Sequence, residues 1–448
     1  MKKRITRIFT VLLLCLLFIH LPFTTGVAEA KTTVTNVKLS KSKVSLCVGD
    51  TYKLNVTVSP KNVSKKNITY SSSNKAIATV TQNGTIKGIK AGNTIIKVSL
   101  TNGKTYQCKV LVKNIAVKSV YITSNLSTST ILEGDTVKVA TTISPSNATI
   151  KDITYKSSDS SIATVSDNGT ITAIKAGDVT ITAESYNRKK DTIILSIVKL
   201  PVLNVRNTQI SLGDKTEDII SKLGEPNRID KSYIGSQAYV YNSDYTKFVM
   251  IYLENDKVVG YYSDSIDFSC NDVKYGDSTS NDSLSNEIFT LSYYIDKIGT
   301  NLVTGVKVIS SNATINSYDS VMSSMEIQIF DLTNSIRARN NVGLLQWSEL
   351  AYQTARNHSI DMATNNYFSH TSLYGISPFD RMKSNGIKYR YAGENIIAGH
   401  GDSTDSSYGW FQSEGHRMNM LNPNYNYLGV GGSAGGRYSN YYTQNFYS

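Results

Sequence analysis

Histidine is scarce in this chain, and its placement is the first chemical signal. Of five histidines, four (His358, His370, His400 and His416) fall within one 59-residue window. Imidazole is the side chain that moves protons near neutral pH and a common nitrogen ligand to divalent metals. Two carboxylates share the window: Glu394 in Ala392-Gly393-Glu394-Asn395 and Glu414 in Ser413-Glu414-Gly415-His416-Arg417, while His370 closes Tyr367-Phe368-Ser369-His370. A tetrad of His370, Glu394, Glu414 and His416 is the candidate catalytic or binding group. His370 and His416 could hold a divalent ion, zinc first, with the carboxylates completing the shell or orienting the rings. A metal-bound water with Glu394 or Glu414 as base would then hydrolyse a substrate. Alternatively, Ser369 or Ser413 beside a His/Glu pair has the parts of an activated serine. No pair follows a compact metal-ligand spacing, so hydrolysis, ligand binding without turnover and a vestigial cleft all stay open.

Other residues near the tetrad have supporting roles or none. Asn395 is an amide beside Glu394, Arg417 a charge partner for a carboxylate, Ser413 a hydroxyl next to Glu414, and Gln444 a polar residue on the last strand. His358 lies inside a helical pattern and reads as a surface or edge residue; His400, between Gly399 and Gly401, reads as a loop residue at the cleft rim. Trp410 and Phe411 read as core. Tyr389, Tyr391, Tyr425, Tyr427, Tyr441 and Tyr442 could form a rim facing sugar or peptide, although tyrosine is abundant throughout, with 29 in the chain.

Positioning these side chains requires an ordered frame. From Val321, Met325, Ile327, Ile329, Phe330, Leu332 and Ile336 with the basic end Arg337/Arg339 predict an amphipathic helix closed by Asn341. A second helix, capped by Ser348, runs to Thr364 with Leu350, Ala351, Ala355, Ile360 and Met362 near one face. A short helix follows Pro378 and stops at Gly386. Strands are expected at Tyr389 to Ala398, Tyr427 to Gly431 and Arg437 to Phe446, giving an α-β-α sandwich over 320–448.

The strings Y-F-S-H-T-S, A-G-E-N-I, W-F-Q-S-E-G-H-R-M-N-M-L-N-P, L-G-V-G and Y-Y-T-Q-N-F, in this order over about residues 326–448, closely resemble the CAP (SCP) superfamily. That resemblance implies that His370, Glu394, Glu414 and His416 line a central cleft where two histidines can hold a divalent cation. It implies no settled reaction. The domain has no cysteine, so the disulfides of eukaryotic relatives and their cysteine-rich extension are absent.

Upstream, residues 201–290 read as a small α+β domain. A helix from Thr216 to Leu223, with Asp214 and Glu217 as a capping box, stops at Gly224. Its L-G-x-x-x-x-D-I-I-x-K-L-G-E-P opening resembles the CAP-associated N-terminal domain. The Ser/Asn/Asp-rich residues 278–318 read as a loose connector with at most a short helix, assigned to 291–319.

Residues 34–199 hold a duplication with a register of 85: Ile77-Ala78-Thr79-Val80 recurs as Ile162-Ala163-Thr164-Val165, and Asn83-Gly84-Thr85-Ile86 as Asn168-Gly169-Thr170-Ile171. Short Val/Ile/Thr strands between Gly, Asn and Pro turns predict two all-β sandwiches, at 31–115 and 116–200. Their motif set resembles group 2 bacterial immunoglobulin-like domains. Cys47 and Cys108 stand in register with Leu132 and Ile193, so they are either buried apolar thiols or a disulfide clamp; Cys270 is left over.

Residues 1–30 combine a basic start, an apolar run from Ile8 to Leu21 and Ala28-Glu29-Ala30, the order of a secretory signal peptide cleaved after Ala30. No later stretch is apolar enough to span a bilayer, so a secreted product, with no transmembrane anchor after cleavage and possible retention at the cell surface, is expected. The net charge of +12 comes from the repeats, where 24 Lys and Arg face 9 Asp and Glu over residues 31–200. Such a surplus suits an anionic cell-envelope polymer, or is simply a solvated face. An extracellular protein or a small ligand are the other candidate partners; nucleic acid is not expected, because no reading motif accompanies the charge.

Overall fold

Period-two patterning decides the architecture of the repeats. In the strand Gly92–Leu100 of the first unit, Thr94, Ile96, Val98 and Leu100 point inward. They meet Val44, Leu46, Ile86, Cys108, Val110 and Val112. The computed structural model of the chain describes residues 34–61, 68–124, 126 and 128–448, so the signal-peptide reading falls outside the described residues. The first unit has a four-stranded sheet in the order Lys43–Cys47, Thr105–Lys113, Gly92–Leu100, Ile68–Ser72, faced by a three-stranded one of Thr51–Lys53, Thr85–Gly88 and Ala78–Val80. The second unit has two four-stranded sheets. Its pairing Thr130↔Ser196 repeats Ser45↔Leu111 of the first, so the register of 85 holds in the ladder itself. The Asn-Gly turns need glycine: Gly84 and Gly169 have φ of +82° and +80°, and a Cβ there would stand 2.8 and 2.6 Å from the Leu54 and Val139 carbonyl oxygens.

The same ladder decides between the two cysteine readings. Cys47 lies opposite Lys113, so Cys108 is five residues back along the neighbouring strand. At about 3.3 Å per residue that is roughly 16 Å, far beyond the reach of a disulfide. Cys47, Cys108 and Cys270 are free thiols.

The middle region is built on a seven-stranded antiparallel sheet in the order Arg228–Lys231, Gln237–Tyr241, Val249–Glu254, Lys257–Ser263, Val303–Ser310, Phe289–Ile295, Ser283–Ser285. Three of these strands lie in the segment expected to be a loose connector. Their apolar residues alternate (Phe289, Leu291, Tyr293 and Ile295; Val306 and Val308) and enter the core, and the intervening Ser, Thr and Lys had masked that period. Helix α1 (Thr216–Leu223) is where expected, but its cap differs: Lys215 is the N-cap and Asp218 reaches back to its N–H at 3.3 Å. Asp214 instead accepts from Ser211 N–H and pairs with Lys222.

In the C-terminal domain, α2 (Tyr318–Arg339), α3 (Glu349–Asn365) and α4 (Pro378–Ser384) match the expected helices. Helices α5 (Ser403–Phe411) and α6 (Glu414–Met420) are additional. The sheet order is Gln346–Trp347, Tyr427–Ala434, Asn440–Tyr447, Ala392–Ala398. Consecutive strand residues point to opposite faces. A Cβ on Gly431 would meet Arg356 N of α3 at 2.0 Å, and one on Gly432 would meet Met322 Sδ of α2 at 2.4 Å, so α2 and α3 cover opposite faces. That is the expected α-β-α sandwich, and the L-G-V-G motif exists because α3 lies directly on bare backbone. Ala351, Ala355 and Met362 form the buried side of α3, while Leu350 and Ile360 are exposed.

Middle and C-terminal regions fall in one compact unit. Buried and half-buried ion pairs join them: Lys307 with Asp402 and Asp405, Arg339 with Asp264, and Arg228 with Asp331.

Candidate functional site: the histidine cleft

Strand Ala392–Ala398 buries both Gly393 and Glu394 to Ile397, so a carboxylate is forced into the domain interior. Glu394 is 2% exposed and therefore needs partners for both oxygens. Arg381 of α4 donates to Oε2 at 2.7 Å, and His370 Nδ1 lies 2.9 Å from Oε1. With its amide oriented to satisfy its neighbours, Asn445 adds a third donor at 3.0 Å. Arg381 also donates to the carbonyls of His370 and Ile376, clamping the loop that carries His370. In the tautomer that donates from Nδ1 to the Glu394 carboxylate, the His370 ring keeps its Nε2 lone pair for a ligand.

His370 lines a cavity of about 480 Å³ together with Phe368, Ser369, Ile396, Ile397, Ala398, His400, Gly409, Ser413 and His416. Burial lowers the pKa of His416, and the nearby His370 lowers it further. Burial also lowers His400, partly opposed by Asp405. Both shifts favour the neutral imidazole, and the cavity's apolar wall strengthens polar contacts made inside it.

A buried amide network holds the floor. Asn395 donates to the His416 carbonyl and to Gln444 Oε1, both at 3.1 Å, and Gln444 donates to Thr333 at 2.8 Å. Asn419 of α6 donates to Asn395 Oδ1 at 2.8 Å and to the Glu394 carbonyl at 3.2 Å. Asn395 and Gln444 therefore position α6, and with it His416.

Several expectations need correction. Arg417 does find a carboxylate, but it is Asp296 of the middle region; its Nε donates to the Phe411 carbonyl and its guanidinium stacks 3.7 Å over the Phe411 ring. Glu414 is exposed at the start of α6 and does not line the cavity, and its carboxylate makes no hydrogen bond or ion pair among the described residues. His358 is buried: its Nε2 contacts the Ser369 carbonyl at 3.0 Å, and burial lowers its pKa to about 4. It braces the residue preceding His370. Tyr425, Tyr441 and Tyr442 are core, not rim. Ser369 and Ser413 both line the cavity, but Ser369 Oγ accepts from Thr371 N–H, and neither hydroxyl bonds an imidazole among the described residues. Arg381, missed by the sequence reading, could have been found only as a cation that a buried glutamate requires.

Zinc ordinarily takes three or four protein ligands. Among the described residues no group of three or more His, Cys, Asp or Glu side chains is placed to hold a metal ion, and the carboxylate of Glu394 is already engaged. A divalent ion in this cavity would therefore draw its protein nitrogens from the cavity's imidazoles, His370 and His416 among them.

Residues 330–446 match the Cysteine-rich secretory protein family, CAP. Residues 212–291 match the CAP-associated N-terminal family, and 33–110 and 116–194 match the group 2 bacterial Ig-like domain. The uncharacterized membrane protein YlbC of Bacillus subtilis is 29% identical over 287 residues, 52% of this chain and 82% of that protein. The uncharacterized protein YkwD of the same organism is 44% identical over 118 residues, 26% of this chain and 46% of its own length. A crystal structure of an extracellular protein containing a SCP domain from Bacillus anthracis is 30% identical, covering 53% of this chain and 93% of that one, with a TM-score of 0.47. The motif strings, the α-β-α sandwich and the family match agree: the C-terminal domain belongs to the CAP family, behind a CAP-associated domain and two bacterial Ig-like domains.

Proposed function

We propose that this is an extracellular binding protein whose CAP domain takes a ligand into the His370/His416 cleft without turning it over. The observation that carries the reading is the chain Arg381–Glu394–His370, which spends two buried charges on aiming one imidazole nitrogen. A mostly apolar cavity with a few convergent polar groups has the form of a recognition site. The signal-like N-terminus and the secretory family support an extracellular location; among the described residues no helix is long and apolar enough to cross a membrane. A cell-envelope polymer, an extracellular protein or a small ligand are the candidate occupants.

Hydrolysis is the second reading, favoured by the same His370–Glu394 pair, which has the form of a base and its orienting carboxylate. The missing contact between either serine and an imidazole weighs against its serine-dependent form. The test is calorimetric titration of the full chain with soluble peptidoglycan fragments and, separately, with zinc, followed by product analysis. Saturable binding without new products, weakened at least tenfold in a His370→Ala/His416→Ala variant, is expected. Product release that depends on the two histidines would transfer the cleft to the hydrolase reading. Equal binding by the variant would remove the cleft from the function.

A further inference from the structure

The cleft leaves one feature of the sequence unexplained: where the positive charge sits. Residues 31–115 hold fifteen lysines, no arginine and a single acidic residue, Asp50. Residues 116–200, built on the same strand plan, balance nine Lys and Arg against eight Asp and Glu. A requirement of the fold would have appeared in both copies.

The described lysines of the first unit make no ion pair, and several converge on the outward face of its four-stranded sheet. Lys43 and Lys109 are direct cross-strand partners. Lys97 is diagonal to Lys109, which lies opposite Ile95, and Lys113 extends the row. Like charges placed directly opposite one another destabilise a sheet. Lys43 and Lys109, with Ser45, Asn93, Ile95 and Leu111 among others, line a depression of about 700 Å³, and Lys97 and Lys113 neighbour it on the same face. In the second unit the register of 85 puts Thr128 at the place of Lys43, Thr182 at Lys97, Ile194 at Lys109 and Asp178 at Asn93. The duplicated fold therefore tolerates uncharged residues at these positions.

We propose that this face of the first Ig-like unit is a binding site for a linear phosphodiester polymer of the cell envelope. Charge complementarity selects a polyanion. Lysine ammoniums act as mobile point charges toward phosphate, whereas an arginine fork would suit planar bidentate partners, and none is present. Stacking aromatics, on which single-stranded nucleic acid is held, are missing from the depression; its floor is Ile95 and Leu111, which suit an aliphatic polyol backbone. The site is independent of the cleft and would hold the protein where the CAP domain works.

The probe is synthetic poly(glycerol phosphate), with polyglucuronate as the carboxylate counterpart, titrated into the full chain at about 50 and about 300 mM salt, where screening lengths differ by a factor of about 2.4. Full-chain protein should bind the phosphate polymer at low salt and lose at least tenfold at high salt. A Lys43→Thr/Lys97→Thr/Lys109→Thr variant should lose at least tenfold at low salt. Lys53→Thr/Lys87→Thr/Lys90→Thr, which removes the same charge from elsewhere on the unit, should lose less than threefold, and His370→Ala/His416→Ala should lose nothing. If the first triple variant unfolds, the converse change Thr128→Lys/Thr182→Lys/Ile194→Lys in the second unit must raise affinity. Equal losses in both lysine variants, equal affinity for polyglucuronate, or no binding at low salt would each overturn the assignment.

Discussion

Replacing Lys307 by methionine tests whether the CAP domain and its neighbour are one folding unit. Lys307 stands on strand Val303–Ser310 of the middle domain, 8% exposed, with Asp405 Oδ1 at 2.6 Å and Asp402 Oδ2 at 3.2 Å. Thr404 Oγ1 accepts from it at 3.1 Å. Burial alone would lower the pKa of its ammonium, but Asp402 and Asp405 outweigh burial and hold it above the ordinary value. Asp402 also caps α5, accepting from Thr404 N–H and Asp405 N–H, and α5 carries the Gly409 wall of the cleft. Methionine matches the stem of lysine and removes the charge. Asp402 is 5% exposed and would be left without its cation, whereas Asp405 at 38% can recover water. Stranding one buried partner costs about 3–5 kcal/mol. For a unit of this size that lowers the melting temperature by roughly 6–20 °C. Urea denaturation of the full chain, followed by tryptophan fluorescence, reads the loss, because both tryptophans lie in the CAP domain. Adding Asp402→Asn, which keeps a capping side chain while removing the stranded charge, should restore about 2 kcal/mol. A loss below about 1 kcal/mol, or no recovery in the double variant, would refute the claim that this cluster locks the domains together.

Four further outcomes follow from the geometry. Gly431→Ala pushes a Cβ to 2.0 Å from Arg356 N and should cost more than about 4 kcal/mol or prevent folding, whereas Gly415→Ala, with nothing within 4 Å, should be neutral or slightly stabilising in urea melts. His358 has a folded pKa of about 4 against an ordinary 6.5, so the unfolded state takes up its proton first; its contribution is intact above pH 6.5 and about 3 kcal/mol is lost as pH falls to 4. His358→Gln should flatten the stability curve over that window, and parallel curves would refute the assignment. Intact-mass analysis after alkylation in denaturant should count Cys47, Cys108 and Cys270 as thiols without reduction, while in the native protein the buried Cys108 and Cys270 should resist alkylation. Glu394→Gln should weaken cleft binding at least tenfold and cost about 2–3 kcal/mol of stability, because Arg381 loses its buried anion.

What could be read from sequence follows the range of each interaction. The repeats were legible because two copies report the same register, and the cleft strings because Y-F-S-H-T-S and A-G-E-N-I carry their residues in short, ordered blocks. Helix α5 was not, since Ser403-Thr404-Asp405-Ser406-Ser407 has weak helix propensity and depends on the Asp402 cap and on tertiary packing. Partners distant in sequence were equally hidden: Arg417 is expected to pair with a carboxylate, but which one could not be read, because Asp296 lies 121 residues away. His358 read as a surface residue because one imidazole on a helix face says nothing of what covers it. The connector misled because Ser, Asn and Asp around its strands diluted an alternation that only the neighbouring strands complete.

Glu394 aims His370 into the cleft. Long-range proton–nitrogen NMR of the full chain labelled at histidine nitrogen measures this directly at neutral pH. His370 should carry its proton on Nδ1, His416 and His400 should be neutral, and Glu394→Gln should redistribute the His370 tautomers while leaving His358 unchanged. A His370 protonated on Nε2 alone in the unaltered protein, or a tautomer indifferent to Glu394→Gln, would contradict that role of Glu394.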